Sequence, residues 1–572
     1  MEQLSPLDTA FLNLETGNTP MHVGSLGIYD QSTVDGDVLG FKEIIKFFES
    51  RLHKVPSLRY RMVEVPMGLD YPYWIADPEF DIEFHLRHIA LPQPGDWRQL
   101  CIQVARIHSR PLDMGRPPWE IYVIEGLDNI EGMPKGCFGV VTKVHHSLVD
   151  GVFGAQLLTA LHDLGPKASP VKVDKPWIVD RIPTGVELVS RAAFNGVRNF
   201  AKKGKALTQH VLPGSLDMAK NLIKGTQDKD SGNMLFKAPK TRFNNQVSAH
   251  RVFEAVDFEL KDIKALKDAK EGISLNDVMV ALVSGALRRY LKTKGELPED
   301  SLTAMLPISV RPNDKSNVQG NQISFMFPKV YTDIADPIER LDAIKAATTK
   351  GKNANDKKGG NLMLDAAQLL PTTVTNLALR AALKYNLTSY LKPLFNTVIT
   401  NVPGPQLPLY FAGAKMVNFY GTGISYDSMG LFHILFSYNG KISVSVTCCR
   451  SMMPDPAFYA DCLRYSLREL QKALLPKEEK KAPAVKPAAK AAAKPAAKKA
   501  TRRTTRKLTA DVADKAVLEQ KFSEEKAVDK KTVDKAAVKP ATKSAAKKVA
   551  RKTTAKKPAA KKVLEKAVTE PA

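Results

Sequence analysis

The sequence predicts an α/β (α+β) protein with two mixed-sheet regions, a connector between them and a basic tail. Three observations predict it. Strand-like runs alternate with helical ones in residues 1–165 and again in 246–475. The stretch between them, 166–245, is rich in Pro, Lys and Gly. Beyond it, residues 476–572 are dominated by Lys, Ala, Pro, Thr and Val, with Phe522 as the one aromatic. Such a tail buries too little apolar surface to offset its ordering entropy, so it is expected to be disordered.

In the first region "FDIEFHLRHIAL" and "CFGVVTKVHH" read as strands, and "GVFGAQLLTALHDL" as a helix. Inside the connector, "GVELVSRAAFNGVRNFAKKGKAL" spaces Val186, Val189, Ala193, Val197 and Phe200 at helical intervals, with Arg191, Arg198, Lys202, Lys203 and Lys205 interleaved or following. Either this helix lies at a lipid interface, or its apolar face packs on the lobes. The second region opens with the strand-like "HRVFEAVDFEL", continues with the helix candidate "SLNDVMVALVSGALRRYL", and closes on "LFHILFSYNGKISVSVTCC" and a helix near "PAFYADCLRYSLRELQKAL".

Charge separates body from tail. Of the net +24, residues 476–572 supply +18 from 29 basic and 11 acidic side chains, leaving the body near neutrality at +6. The five cysteines, Cys101, Cys137, Cys448, Cys449 and Cys462, show no CxxC spacing and read as free thiols in a reducing cytosol. The acidic opening "MEQLSPLDTAFLNLET" has no apolar core of a signal peptide, and "VMVALVSGAL" is cut short by Arg288, so no spanning helix is expected.

The chemistry concentrates in "KVHHSLVDGV". An apolar strand ends on His145 and His146, and Asp150-Gly151 follow before the next helix. A short strand-to-helix turn brings His146 and Asp150 into one neighbourhood. The helix N-terminus keeps Asp150 ionised, and Gly151 lets the backbone turn. A neutral imidazole suits proton abstraction from a hydroxyl; the alternative is a satisfied core histidine with an Asp cap. There is no G-x-S-x-G elbow and no HExxH, and His85 and His88 sit in a strand pattern without nearby carboxylates, so neither a serine hydrolase of that type nor a metal site is expected.

HHxxxDG resembles the motif of the coenzyme-A-dependent acyltransferase superfamily, which includes chloramphenicol acetyltransferases and peptide-synthetase condensation domains. Further blocks, "LSPLDTAFLNLETGNTPMHVGSL", "RHIALPQPGD", "SRPLDMGRPPWEIYVIEGL", "SLNDVMVALVSGALRRYL", "LPISVRP" and "TNVPGPQLPLYFAGAK", resemble in the same order the bacterial wax ester synthase/diacylglycerol acyltransferase family. Where that family usually has Pro-Leu-Trp, this chain reads Pro117-Pro118-Trp119. The resemblance implies two chloramphenicol-acetyltransferase-like lobes with a central channel, and transfer of a fatty acyl group from acyl-CoA to a long-chain alcohol or to diacylglycerol. It makes His146 the general base, His145 its neighbour in the motif, and Asp150 a residue that holds the turn. Asn276 and Asp277 match its Asn-Asp pair, which either serves the substrate and oxyanion or simply caps a helix. No metal or cofactor is implied, since acyl-CoA is a substrate.

Water-insoluble products imply a cytoplasmic enzyme held peripherally at the inner membrane or lipid inclusions. The tail resembles linker-histone-like and polymer-granule-associated tails, and is expected either to meet DNA or anionic lipid without sequence preference or to remain a solvated extension. The rival readings are a related acyltransferase for another hydroxyl or amine acceptor, and a non-catalytic tether.

Overall fold

The computed structural model describes residues 1–36, 38–149, 153–167, 177–206, 238–309, 323–357 and 392–475. Asp150, Gly151 and the tail 476–572 lie outside the described residues. In chain order the strands are β1 (Glu2–Gln3), β2 (His22–Asp30), β3 (Tyr60–Val63), β4 (Tyr73–Ala76), β5 (Leu86–Ala90), β6 (Trp119–Glu125), β7 (Phe138–His145) and β8 (Arg251–Glu259). They continue with β9 (Ala304–Ser309), β10 (Ile323–Met326), β11 (Thr397–Pro403), β12 (Tyr410–Phe411), β13 (Ala414–Thr422), β14 (Leu431–Tyr438) and β15 (Lys441–Cys449). The helices are α1 (Pro6–Leu14), α2 (Phe41–Arg51), α3 (Ile82–His85), α4 (Trp97–Ser109), α5 (Phe153–Leu161), α6 (Gly185–Ala206), α7 (Leu260–Asp268), α8 (Leu275–Thr293), α9 (Pro337–Lys357) and α10 (Pro456–Leu474).

Two large mixed sheets form the body. One runs β12-β13-β2-β7-β6-β5, with its single parallel pair at β5/β6. The other runs β10-β9-β11-β14-β15-β8, with parallel pairs at β9/β11 and β11/β14. A small sheet, β1-β4-β3, sits beside the first. The lobes are therefore not the two halves of the chain. Strands β12 and β13 come from the C-terminal region yet extend the first sheet, pairing through β13 with β2, so a boundary at residue 246 misplaces them. A second departure is local: "FDIEFHLRHIAL" is not one strand, because Asp81 caps the helical turn α3 by accepting from Glu83 N–H, and β5 starts only at Leu86.

Hydrophobic packing joins the lobes. Leu100, Val104 and Ile107 of α4 share a core with Leu26 of β2, Tyr122 of β6 and Phe253 and Ala255 of β8. Polar bonds reinforce the seam: Trp97 Nε1 donates to Glu254 at 2.6 Å, and His108 Nε2 lies 2.8 Å from the Gly423 carbonyl. In the second lobe α8 is buried on all sides from Val278 to Leu287, the pattern of a helix enclosed by core. It also explains a glycine. At Gly285 an added Cβ would stand 2.2 Å from Ser466 Oγ of α10, so the two helices meet where no side chain fits.

Candidate active site

Strand β7 is interior to its sheet, and its run of Phe138, Val140, Val141 and Val144 is buried. The strand ends at His145 because a 3-10 turn, His146–Leu148, follows immediately. The turn is closed by the chain itself. Ser147 N–H donates to His145 Nδ1 at 3.1 Å, and Ser147 Oγ lies 2.6 Å from the same nitrogen. With Nδ1 accepting from a backbone donor, Nε2 is the ring nitrogen of His145 that carries a proton. That nitrogen is 3.4 Å from Glu15 Oε2.

The two histidines divide the work. His145 is fully buried and anchored, its backbone N–H donating to the Pro118 carbonyl at 2.9 Å. His146 is half-buried, donates its backbone N–H to the Met21 carbonyl at 2.8 Å, and stacks on Phe11 with ring centroids 3.9 Å apart. Its Nδ1 is buried and has no hydrogen-bond partner among the described residues. Burial pushes the His146 imidazole down to about 4, against a smaller opposing effect of its own backbone and with His145 adding to the depression. At neutral pH the ring is therefore uncharged.

The sequence reading missed the residues that build the opposite wall. Phe11 and Glu15 come from the N-terminal block, which the sequence offered only as a family resemblance. Ser5 caps α1 by accepting from Asp8 N–H, and the helix lays Phe11 against His146. Glu15, just past its end, faces His145 through Oε2 and accepts from Met21 N–H at 3.2 Å through Oε1. It thus stands beside the first histidine and holds the residue whose carbonyl accepts from the second. Glu15 also borders a cavity of about 430 Å³ between residues 12–19 and Gln246, Val247, Tyr426 and Asp427. His146 does not line that cavity.

The other candidates fall in the second lobe. Asp277 is buried and its carboxylate is occupied: it accepts from Ser274 N–H at 2.9 Å, Ser274 Oγ at 2.6 Å and Thr348 Oγ1 at 2.7 Å. This is a capping box at the start of α8 with a tie to α9, a structural use of the motif. Asn276 points elsewhere. Its Oδ1 accepts from Asn401 Nδ2 at 3.4 Å, which joins the Asn-Asp pair to the "NVPGP" block at the end of β11 and keeps the Asn276 amide N–H groups as donors. No contact links Asn276 to the histidine pair among the described residues. The Pro117-Pro118-Trp119 departure has a simple account. Position 118 contributes its carbonyl, to His145 N–H, and proline keeps its carbonyl. Trp119 then opens β6, its Nε1 donating to the Leu58 carbonyl at 2.6 Å.

Two mixed sheets, the first completed by strands from the C-terminal region, and a histidine pair ending an interior strand make up the two-lobed body. The chain belongs to the wax ester synthase/diacylglycerol acyltransferase family: residues 4–279 match the model of its catalytic domain and 319–471 that of its C-terminal domain. A putative diacylglycerol O-acyltransferase of Mycobacterium tuberculosis is 35% identical over 474 residues, covering 82% of this chain and 90% of the relative. The O-acyltransferase WSD of Acinetobacter baylyi is 30% identical over 466 residues, 79% and 93% of the two chains. Among solved structures, the wax ester synthase/diacylglycerol acyltransferase of Marinobacter aquaeolei VT8 superposes with a TM-score of 0.57 at 28% identity, covering 82% of this chain and 99% of that one.

Proposed function

We propose that this acyltransferase moves a fatty acyl group from acyl-CoA to the hydroxyl of a long-chain alcohol or of diacylglycerol, with His146 as general base. The observation that carries the reading is the uncharged His146 ring, held at the end of β7 by Met21 and Phe11. The imidazole takes the hydroxyl proton while the oxygen attacks the thioester carbonyl. The tetrahedral oxyanion then collapses, the C–S bond breaks, and the departing thiolate recovers the proton from the imidazolium. One thioester and one alcohol give one ester and one free CoA thiol. A base held near 4 is weaker than an ordinary histidine, so stabilising the oxyanion carries more of the barrier. Asn276, with its amide N–H groups kept as donors, is the candidate for that work.

Incubating the full chain with palmitoyl-CoA and either hexadecanol or dipalmitoylglycerol should release free thiol in step with ester, and the two rates rank the acceptors. Thiol release that does not depend on either acceptor sinks the reading.

Because these products are insoluble in water, we assign the enzyme a peripheral place at a membrane or lipid inclusion. Among the described residues no helix is long and apolar enough to cross a membrane. The tail's +18 adds a sequence-blind contact with polyanions, DNA or anionic lipid. A chain ending at 475 should lose the retention on duplex DNA that the full chain shows at about 50 mM salt and gives up at about 300 mM. Equal retention by both chains removes the role assigned to the tail.

A further inference from the structure

The connector helix α6 has two faces, and the buried one is not the one its apolar spacing suggested. Leu188 and Ala192 pack against Val65 and Tyr73, while Asn195 Nδ2 donates to Asp70 Oδ2 at 2.8 Å and lies 3.1 Å from Tyr73 Oη. Val186, Phe194 and Val197 stand on the opposite side, 79%, 69% and 73% exposed. At 100° per residue these three fall within one arc of about 80°, so they form a single stripe along the helix. Of the face the sequence had grouped, Val186, Ala193 and Val197 point to solvent and Val189 is half-buried; the Phe200 side chain lies outside the described residues.

The stripe does not stand alone. Pro66 meets the start of the helix at Gly185, and Asp70 meets it nearly three turns later at Asn195, so the segment between runs alongside. From that segment Met67 and Leu69 are also exposed. Met67 and Leu69 belong to the segment against which the buried face packs, and the exposed stripe itself is Val186, Phe194 and Val197. Cations flank them. Glu187 is gripped by both Arg181, at 2.8 Å, and Arg191, at 3.2 Å, which leaves one guanidinium charge unbalanced, and Arg198 is exposed a further two turns along.

From this arrangement we infer that the outer face of α6, with Val186, Phe194 and Val197, is the surface by which the enzyme docks on a lipid layer carrying anionic headgroups. The inference rests on the lipid-surface reading above and names the contact. Apolar side chains of this size enter the boundary between headgroups and acyl chains, while guanidiniums on the flank stay at headgroup level. The substrates of the proposed reaction partition into that same layer, so docking there shortens the path of a hydrophobic acceptor into the protein.

The test uses the full chain with F194D and V197D combined, against wild type, on phosphatidylcholine vesicles containing phosphatidylglycerol and diacylglycerol. At about 0.5 M salt the Debye length is only a few ångströms, so contact through the basic tail is suppressed while apolar insertion persists. Co-sedimentation should fall at least about tenfold in the variant, the loss expected from withdrawing two large apolar side chains from the layer. Thiol release from a water-soluble short-chain acyl-CoA and a short alcohol should be unchanged, which shows the variant folded. Equal sedimentation of the two proteins overturns the docking surface and leaves the acyl-transfer reading standing. Failure of wild type to sediment overturns the lipid-surface reading together with it. A wild type that light scattering shows as a dimer, against a monomeric variant with equal sedimentation, assigns the stripe to a second copy of this chain instead.

Discussion

His146→Ala is expected to lower turnover by about 10²–10⁴-fold, the range for loss of a positioned general base, with little effect on folding. The fold should hold because the contacts that seat the residue are made by its backbone: the N–H bond to the Met21 carbonyl survives the truncation. What disappears is a half-buried ring and its stacking on Phe11. His145→Ala differs in kind. It removes a fully buried ring that accepts from Ser147 N–H and faces Glu15, so its first effect is on stability and on the shape of the turn, with a smaller loss of turnover per folded molecule. Glu15→Gln separates position from charge. The amide oxygen still accepts from Met21 N–H, so most activity should remain, whereas Glu15→Ala should approach the His145→Ala loss. The measurement is thiol release per folded molecule, with the folded fraction taken from circular dichroism. A well-folded His146→Ala protein with wild-type turnover ends the assignment.

How much of this could be read from the chain varied with the range of the interactions involved. Strand β7, helix α8 and the closing pair β14 and β15 were legible because each is a local pattern: an apolar run stopped by polar residues, a Ser274–Asp277 capping box, two strands around Asn439-Gly440. The histidine pair was legible for the same reason, since its residues and the turn that displays them are contiguous. The strand exchange was not. Nothing within "YFAGAKMVNFYGT" states that it pairs with β2, nearly four hundred residues earlier, because the hydrophobic alternation of an interior strand suits either sheet. The wall formed by Phe11 and Glu15 was hidden likewise. An aromatic on a short helix and a carboxylate just past its end are unremarkable, and their meaning comes from a fold that lays α1 over the end of β7. For Asp277 the local reading explained the residue fully, and for Asn276 it did not: the cap accounts for one carboxylate and leaves the neighbouring amide facing Asn401.

Acid should unfold this protein well before it titrates ordinary carboxylates, and the cause is its buried histidines. Burial pushes His108 and His433 down to about 3, and His146 and His162 down to about 4. His22 and His85 are displaced the same way, again chiefly by burial. In the unfolded chain each imidazole returns to about 6.5. Between these limits the unfolded state binds more protons than the folded one, so stability falls as pH drops from about 6.5 toward 4. Near pH 5 the four histidines at about 3 or 4 alone give a slope of about 5 kcal/mol per pH unit. Two carboxylates work against this. Burial raises Glu254 and Asp257, so the folded state takes up protons there and gains some stability as pH falls, but two groups do not offset six. Guanidinium titrations at about pH 7, 6 and 5 should show the midpoint dropping at each step, with several protons taken up per molecule unfolded. The catalytic consequence follows from the same numbers: His146 stays uncharged down to about pH 5, so the acid limb of the rate should track the loss of folded protein rather than protonation of the base. A midpoint unchanged from about pH 7 to 5 would mean that these imidazoles are solvated in the folded protein, and their burial would have to be abandoned as the cause of acid sensitivity.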